Sequence, residues 1–224
     1  LHVEIQADLH HLTTAANDQT AVFSGIAEDL STKGFSIQHG VLSPALLDAL
    51  AAQAQQLHHY DPAGIGREQQ FQQNQFVRTD EISWIDGKLP ATAEWLAWSN
   101  SLKTYLNRRL FLGLFSFESH FAHYPPGSFY KKHYDAFRGE ANRVLSVVLY
   151  LNSQWGPDDG GELVIYPEEH ADDTVVVTPL MGTIAIFLSE EFPHEVLPAT
   201  RDRFSIAGWF RVNNSTAQRV DPPK

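Results

Sequence analysis

Residues 129–137 read Phe-Tyr-Lys-Lys-His-Tyr-Asp-Ala-Phe, and His133 and Asp135 within them decide how the chain is understood. A strand is expected over 129–135. On a strand, the i, i+2 spacing sets both side chains on one face. His194, in Phe-Pro-His-Glu-Val-Leu-Pro, adds a third donor 61 positions beyond His133. Two imidazoles and one carboxylate form the donor set that suits non-haem Fe(II), with positions left open for an organic co-substrate and O2. Arg203 follows His194 by nine positions and is placed to hold a carboxylate of that co-substrate through a bidentate pair. An H-x-D tripeptide alone carries little weight in a chain with 11 His and 27 Asp plus Glu. The strand context, the distal histidine and the arginine together make the metal reading.

The same stretch belongs to a β-rich second half. Strands are expected near 115–124, 129–135, 143–152, 161–166, 173–178, 182–188, 193–197 and 203–211, with turns at Gly160-Gly161 and from Pro198 to Asp202. So many short strands in succession predict a mainly β fold, a double-stranded β-helix or jelly roll. The first half is helical support. Val22, Phe23, Ile26 and Leu30 recur at helical intervals over 19–32. A short strand follows Gly34, and Ser43-Pro44 supplies an N-cap with proline at the first helical position. A further helix over about 90–110 carries Trp95, Leu96, Leu102, Tyr105 and Leu106 on an apolar face. The expected organisation is an N-terminal arm (1–18) and one domain (19–224). Helices support it over about 19–110, and the jelly-roll core runs over about 111–212. Between the helices, 61–76 is rich in Gly and Gln with little periodicity; a loop that long is usually functional.

Alternation along the last strand separates two faces. Phe204, Ile206 and Phe210 form an apolar wall suited to pack on helices, while Arg203, Ser205, Ala207 and Trp209 line the barrel. A guanidinium in that position must meet a carboxylate, from the protein or from a ligand, and the pocket context favours a ligand. Ser146, Val148 and Tyr150 share a face, so Tyr150 can give that carboxylate a second hydrogen bond; its alternative is ordinary core packing.

Composition sets the surroundings. With 224 residues the chain fits one large domain, and a formal charge of −11 argues against nucleic acid or an anionic membrane as partner. The absence of cysteine removes disulfides and thiolate metal sites. No apolar run has the length of a membrane span, and the expected location is cytoplasmic.

Five stretches carry a family resemblance: Val-Arg-Thr-Asp-Glu-Ile-Ser-Trp-Ile-Asp-Gly (77–87), 122–137, Arg-Val-Leu-Ser-Val-Val-Leu-Tyr-Leu-Asn (143–152), Gly-Gly-Glu-Leu-Val-Ile-Tyr-Pro (160–167) and 193–210. Over about residues 20–212 the chain resembles the 2-oxoglutarate- and Fe(II)-dependent dioxygenases of the prolyl 4-hydroxylase group. It is most similar to the hypoxia-inducible-factor prolyl hydroxylases and their bacterial relatives. Residues 78–84 are the specific signal, since they lie outside the generic iron motif. Arg203 stands where collagen-type relatives have lysine, and the interval from Tyr124 to His133 is slightly shorter than in the animal enzymes.

The resemblance implies that His133, Asp135 and His194 bind Fe(II), and that Arg203 and Tyr150 hold 2-oxoglutarate with Tyr124 beside it. O2 is the second co-substrate and ascorbate a stimulant. Tyr130, at the mouth, would contact the target segment together with Arg78, Arg143 and Trp209, and 61–78 would close over it. The partner implied is a protein carrying a target proline, with elongation factor Tu the leading candidate and succinate and CO2 the co-products. Two other readings stand beside this one. The first is hydroxylation of a free amino acid or other small molecule. The second is a non-enzymatic cupin-like metal-binding module, although such barrels more often carry several histidines and a glutamate and need no pocket arginine.

Overall fold

The computed structural model describes residues 19–63, 77–136, 142–167 and 174–213. The expected arm at 1–18, and all but the ends of the 61–78 loop, lie outside the described residues. Among the described residues three helices precede the jelly-roll strands: α1 over 19–33, α2 (Pro44–Gln56) and α3 (Pro90–Leu110). Helix α2 begins as its sequence demands, with the Ser43 hydroxyl accepting from the Leu46 amide at 3.2 Å and Pro44 following the cap.

Among the described residues eleven strands form two antiparallel sheets. In chain order they are β1 (Phe35–His39), β2 (Asp61–Pro62), β3 (Glu81–Trp84), β4 (Ser116–Tyr124), β5 (Tyr130–His133), β6 (Arg143–Tyr150), β7 (Leu163–Ile165), β8 (Val175–Val177), β9 (Thr183–Leu188), β10 (His194–Val196) and β11 (Arg203–Arg211). The larger sheet runs β1-β9-β6-β11-β4-β3-β2 and the smaller β5-β10-β7-β8. Strands β4 to β11 fall at the eight expected places, and the fold is the mainly β jelly roll. The pair β2 and β3 was not anticipated: β2 is two residues long and contains Pro62, so no alternation reveals it.

Each face of the larger sheet has its own task. Outward, Phe121, Leu145, Val147, Ile184, Ile186, Ile206 and Phe210 pack with Ile26 of α1, Leu46 and Leu50 of α2, and Trp95, Leu102 and Leu106 of α3. Each such side chain, once buried, contributes about 1.5–3 kcal/mol. This layer is the apolar wall that the alternation of β11 foretells. Inward, Tyr124, Tyr150, Ala185 and Phe187 meet Leu163, Ile165, Val177 and Val196 of the smaller sheet. Cross-strand pairing aligns Arg203 with Tyr124, Ser205 with Ala122 and Tyr150, Ala207 with His120 and Val148, and Trp209 with Glu118 and Ser146. One inner face therefore carries a row of polar and aromatic groups.

The strand expected over 129–135 ends at His133, and Asp135 lies in the bend beyond it. His133 pairs with His194, the first residue of β10, and Pro193 precedes it. Proline has no amide hydrogen to continue the ladder toward Tyr134, so the chain leaves the sheet there. Asp135 is brought beside His133 by a bend, not by strand alternation.

Gly208 sits in the middle of β11, where an added Cβ would come within 2.8 Å of Glu118 O, Phe117 Cζ and Ser119 Cβ. All three atoms belong to β4, and two of them, a carbonyl oxygen and a Cβ, cannot swing aside without moving its backbone. Gly208→Ala is expected to cost about 1–3 kcal/mol through overpacking, read as a lower urea midpoint with unchanged slope. An unchanged midpoint would show that β4 yields easily.

Candidate active site

His133 on β5 and His194 on β10 face each other across a strand pair, their ring centroids 4.3 Å apart. Asp135 completes the group. Its Oδ1 is 3.5 Å from His133 Nε2, its Oδ2 is 3.6 Å from His194 Nε2, and one donor atom from each residue lies within 4.8 Å of the others. The two imidazoles are oriented by their other nitrogens. His133 Nδ1 donates to Lys131 O at 2.8 Å and His194 Nδ1 donates to Phe192 O at 3.0 Å. A carbonyl can only accept, so Nδ1 carries the proton in both rings and each Nε2 lone pair is turned toward the carboxylate.

Asp135 is positioned from the larger sheet. Ser146 on β6 donates its hydroxyl to Asp135 Oδ2 at 2.6 Å and also lies 2.9 Å from Ser189 Oγ. Burial alone would raise the Asp135 carboxyl, but His194 and His133, when protonated in acid, together with Arg143 overcome it and hold the group well below the usual carboxylate range. Burial pushes His194 down to about 4, so the ring stays neutral, as a metal ligand must. Among the described residues this is the one cluster of three or more His, Asp or Glu donors, and its two-imidazole, one-carboxylate chemistry fits Fe(II).

A second group lies on the inner face of the larger sheet, which also bears Ser146. The Arg203 guanidinium is 1% exposed, donates from Nε to Gly161 O at 2.7 Å and from Nη1 to Ser205 Oγ at 3.4 Å, and meets no carboxylate among the described residues. Its Cζ lies 4.9 Å from the Tyr124 ring centroid and 5.1 Å from that of Tyr150. The Tyr150 hydroxyl is buried without an acceptor, and burial raises it to about 12 against the opposing pull of Arg203. A cation with unused N–H groups beside an unpartnered phenol fits one terminal carboxylate of a dicarboxylic ligand. The residues present therefore suit 2-oxoglutarate as well as iron.

The remaining expected residues rim these two groups. Tyr130 stacks on His133 with ring centroids 3.5 Å apart, and Arg78 lies over Tyr130 while donating twice to the buried Asp80, at 2.8 and 2.6 Å. Arg143 lies flat on Trp209, Cζ 3.5 Å from the ring centroid. Sequence reasoning singled out all ten of these candidate residues but passed over four that hold them. Ser146 supports Asp135, Asp80 anchors Arg78, and Glu118 bonds Arg143. The fourth, His120, is buried between Trp84 and Trp209, and burial lowers it to about 4. Only cross-strand neighbours reveal these roles, although a serine in the apolar run of β6 was a readable signal.

Residues 119–211 match the 2OG-Fe(II) oxygenase superfamily. The chain is also similar to a prolyl-4-hydroxylase of Pseudomonas putida, with 42% identity and a TM-score of 0.77 over 84% of this chain and 98% of that one. The chain belongs to the 2OG-Fe(II) oxygenases, in their prolyl hydroxylase group. Fe(II) and 2-oxoglutarate are the cofactors of this superfamily. A Trichoplax adhaerens prolyl hydroxylase, solved with a hypoxia-inducible-factor oxygen degradation domain peptide, shares 26% identity at a TM-score of 0.78, over 88% of this chain and 91% of that one. Human Egl nine homolog 1 is 31% identical over 144 residues, which are 60% of this chain and 33% of that protein. The chain thus spans about a third of the length of the first curated relatives it matches. Among the described residues no helix is long and apolar enough to cross a membrane.

Two substitutions separate the halves of this oxygenase site. Ser146→Ala removes the hydroxyl that orients Asp135, and Fe(II) affinity, measured anaerobically by chelator competition, should fall by about 10- to 100-fold. Affinity equal to wild type would mean that the bend alone fixes the carboxylate. Arg203→Lys keeps the charge but loses the planar fork, and 2-oxoglutarate binding should weaken by about 1.5–3 kcal/mol. Undiminished binding by calorimetry would assign Arg203 to a structural bond with Gly161.

Proposed function

We propose that the chain hydroxylates a prolyl residue in a protein substrate, using His133, Asp135 and His194 to hold Fe(II) and Arg203 with Tyr150 to hold 2-oxoglutarate. Bound iron and 2-oxoglutarate supply the oxidation of an unactivated C–H bond by O2, with succinate and CO2 as co-products. The chain's own residues bind, orient and shield. Asp135, held by Ser146, fixes the third donor; Tyr124 walls the co-substrate pocket; Tyr130 packs over His133 at the mouth. Hydrogen abstraction needs no general base, in keeping with a site whose described residues hold no second carboxylate pair.

The observation that carries this reading is the gathering of the three candidate ligands beside the smaller sheet, tied by Ser146 to the inner face of the larger sheet that also carries a buried Arg203 with no carboxylate partner among the described residues. The relatives add the substrate class. The chain's similarity to a Pseudomonas putida prolyl-4-hydroxylase extends over 98% of that chain, and a peptide occupies the related Trichoplax enzyme. Arg143 on Trp209, with the exposed Trp84 on the other side of His120, offers a cation and flat aromatic surface suited to a peptide bearing a proline ring. Elongation factor Tu is the proposed target. The cellular location proposed is the cytoplasm, where that target resides.

The test is mass spectrometry of elongation factor Tu after incubation with the chain, Fe(II), 2-oxoglutarate and air. One proline should gain a single oxygen atom, and Asp135→Ala should abolish the gain along with succinate release. Oxygen appearing on free proline, with no protein in a host lysate modified, would overturn the protein-substrate reading in favour of a small molecule.

A further inference from the structure

We infer that Glu118 is a positioning residue: its carboxylate holds the Arg143 guanidinium flat against the Trp209 indole, making the floor on which the substrate segment rests beside the iron site. The inference rests on the protein-substrate reading above and assigns part of its binding surface.

Glu118 lies on β4 directly across from Trp209 of β11. Its Oε1 accepts from Arg143 Nη2 at 3.3 Å and its Oε2 accepts from Arg211 Nη1 at 2.9 Å, so each oxygen serves a different guanidinium. Those two arginines are themselves cross-strand partners, Arg143 on β6 and Arg211 on β11. Like charges in that relation repel, and Arg211, at 2% exposed, cannot retreat into water. One carboxylate set between them turns the repulsion into a bridge.

The bridge fixes orientation as well as charge. An arginine side chain has many rotamers, and stacking on an indole near the surface is too weak to select one alone. Tying Nη2 to Glu118 fixes one edge of the guanidinium plane, and the plane then lies with its Cζ 3.5 Å from the Trp209 ring centroid. In this arrangement Arg143 Nε and Trp209 Nε1 are both buried and neither has an acceptor within the described structure. The placement suits the task. Trp209 also pairs with Ser146, the residue that carries Asp135. The floor is thus one strand pairing away from the metal ligands, at the end of the face opposite Arg203. A purely structural alternative exists, in which Glu118 serves only to neutralise Arg211, and it makes different demands.

The test compares Glu118→Gln and Glu118→Asp with wild type in two measurements. The first is the arginine Nε–Hε NMR spectrum of the zinc-substituted, 2-oxoglutarate-loaded protein, with Arg143→Lys used for assignment. In wild type the Arg143 signal should be shifted upfield by the indole ring. It should move toward the position of a solvated arginine in Glu118→Gln and return in Glu118→Asp, while spectral dispersion reports that each variant is folded. The second is the ratio of hydroxylated proline to succinate with elongation factor Tu. That ratio should drop by about tenfold in Glu118→Gln, the scale of one charge-assisted hydrogen bond, and recover in Glu118→Asp. An Arg143 signal unmoved by Glu118→Gln overturns the positioning role, whatever the substrate proves to be. A moved signal with an unchanged ratio overturns the floor. A wild-type enzyme that leaves elongation factor Tu unmodified counts against that target alone, and the NMR comparison still decides for or against Glu118.

Discussion

The Arg203 guanidinium is buried at 1% exposure, and no carboxylate among the described residues answers it. A charge left so costs about 3–5 kcal/mol, and a fold keeps such a group only where something completes it. Its surroundings are arranged around that need. Gly161 turns at φ +72° and has no side chain, since a Cβ there would come within 3.0 Å of Arg203 Cδ. Its carbonyl ties down Nε and leaves the outer N–H groups of the fork to point elsewhere. Tyr124 and Tyr150 close the sides with aromatic faces, which tolerate a cation without neutralising it. These surroundings suit an anion that no described residue supplies.

Cross-strand pairing then distributes the remaining chemistry. From Arg203 to Trp209, β11 presents an inward side chain at every second residue, and β4 and β6 present theirs in register on either side. At one end is the anion pocket. Ser146 on β6 links the larger sheet to Asp135 from the smaller, next to the two histidines, and the stacked Arg143 and Trp209 form the other end. The helices contribute by covering the opposite face. Trp95 Nε1 even donates to Ser119 Oγ at 3.1 Å, fixing the helical layer to the strand that bears Glu118 and Tyr124.

Much of this was legible in the sequence because short apolar runs bounded by Gly and Pro turns mark eight of the strands, and alternation along β11 separates its two faces. The apolar wall of β11, the Ser43-Pro44 helix start and the third helix were readable for the same kind of reason. Asp135 was singled out correctly as a residue but for a reason that the structure replaces. Pro193 ends the ladder, and a proline on the partner strand is 58 residues away in sequence. Ser146, Asp80, Glu118 and His120 could not be assigned from one sequence. Their meaning depends on which residue lies opposite, and register is set by the whole sheet and not by neighbours in the chain.

The central claim is that the three ligands and the Arg203 pocket act as one site for a metal and a chelating 2-oxo acid. Anaerobic titration with Fe(II) and 2-oxoglutarate, followed by visible absorption, addresses it directly, because a chelated 2-oxo acid on Fe(II) gives a charge-transfer band that neither component gives alone. The expected result is a band that needs both, saturates at one iron and one 2-oxoglutarate per chain, and is missing from Asp135→Ala. A band of equal strength in Asp135→Ala, or none in wild type despite binding of both components, would contradict the assignment.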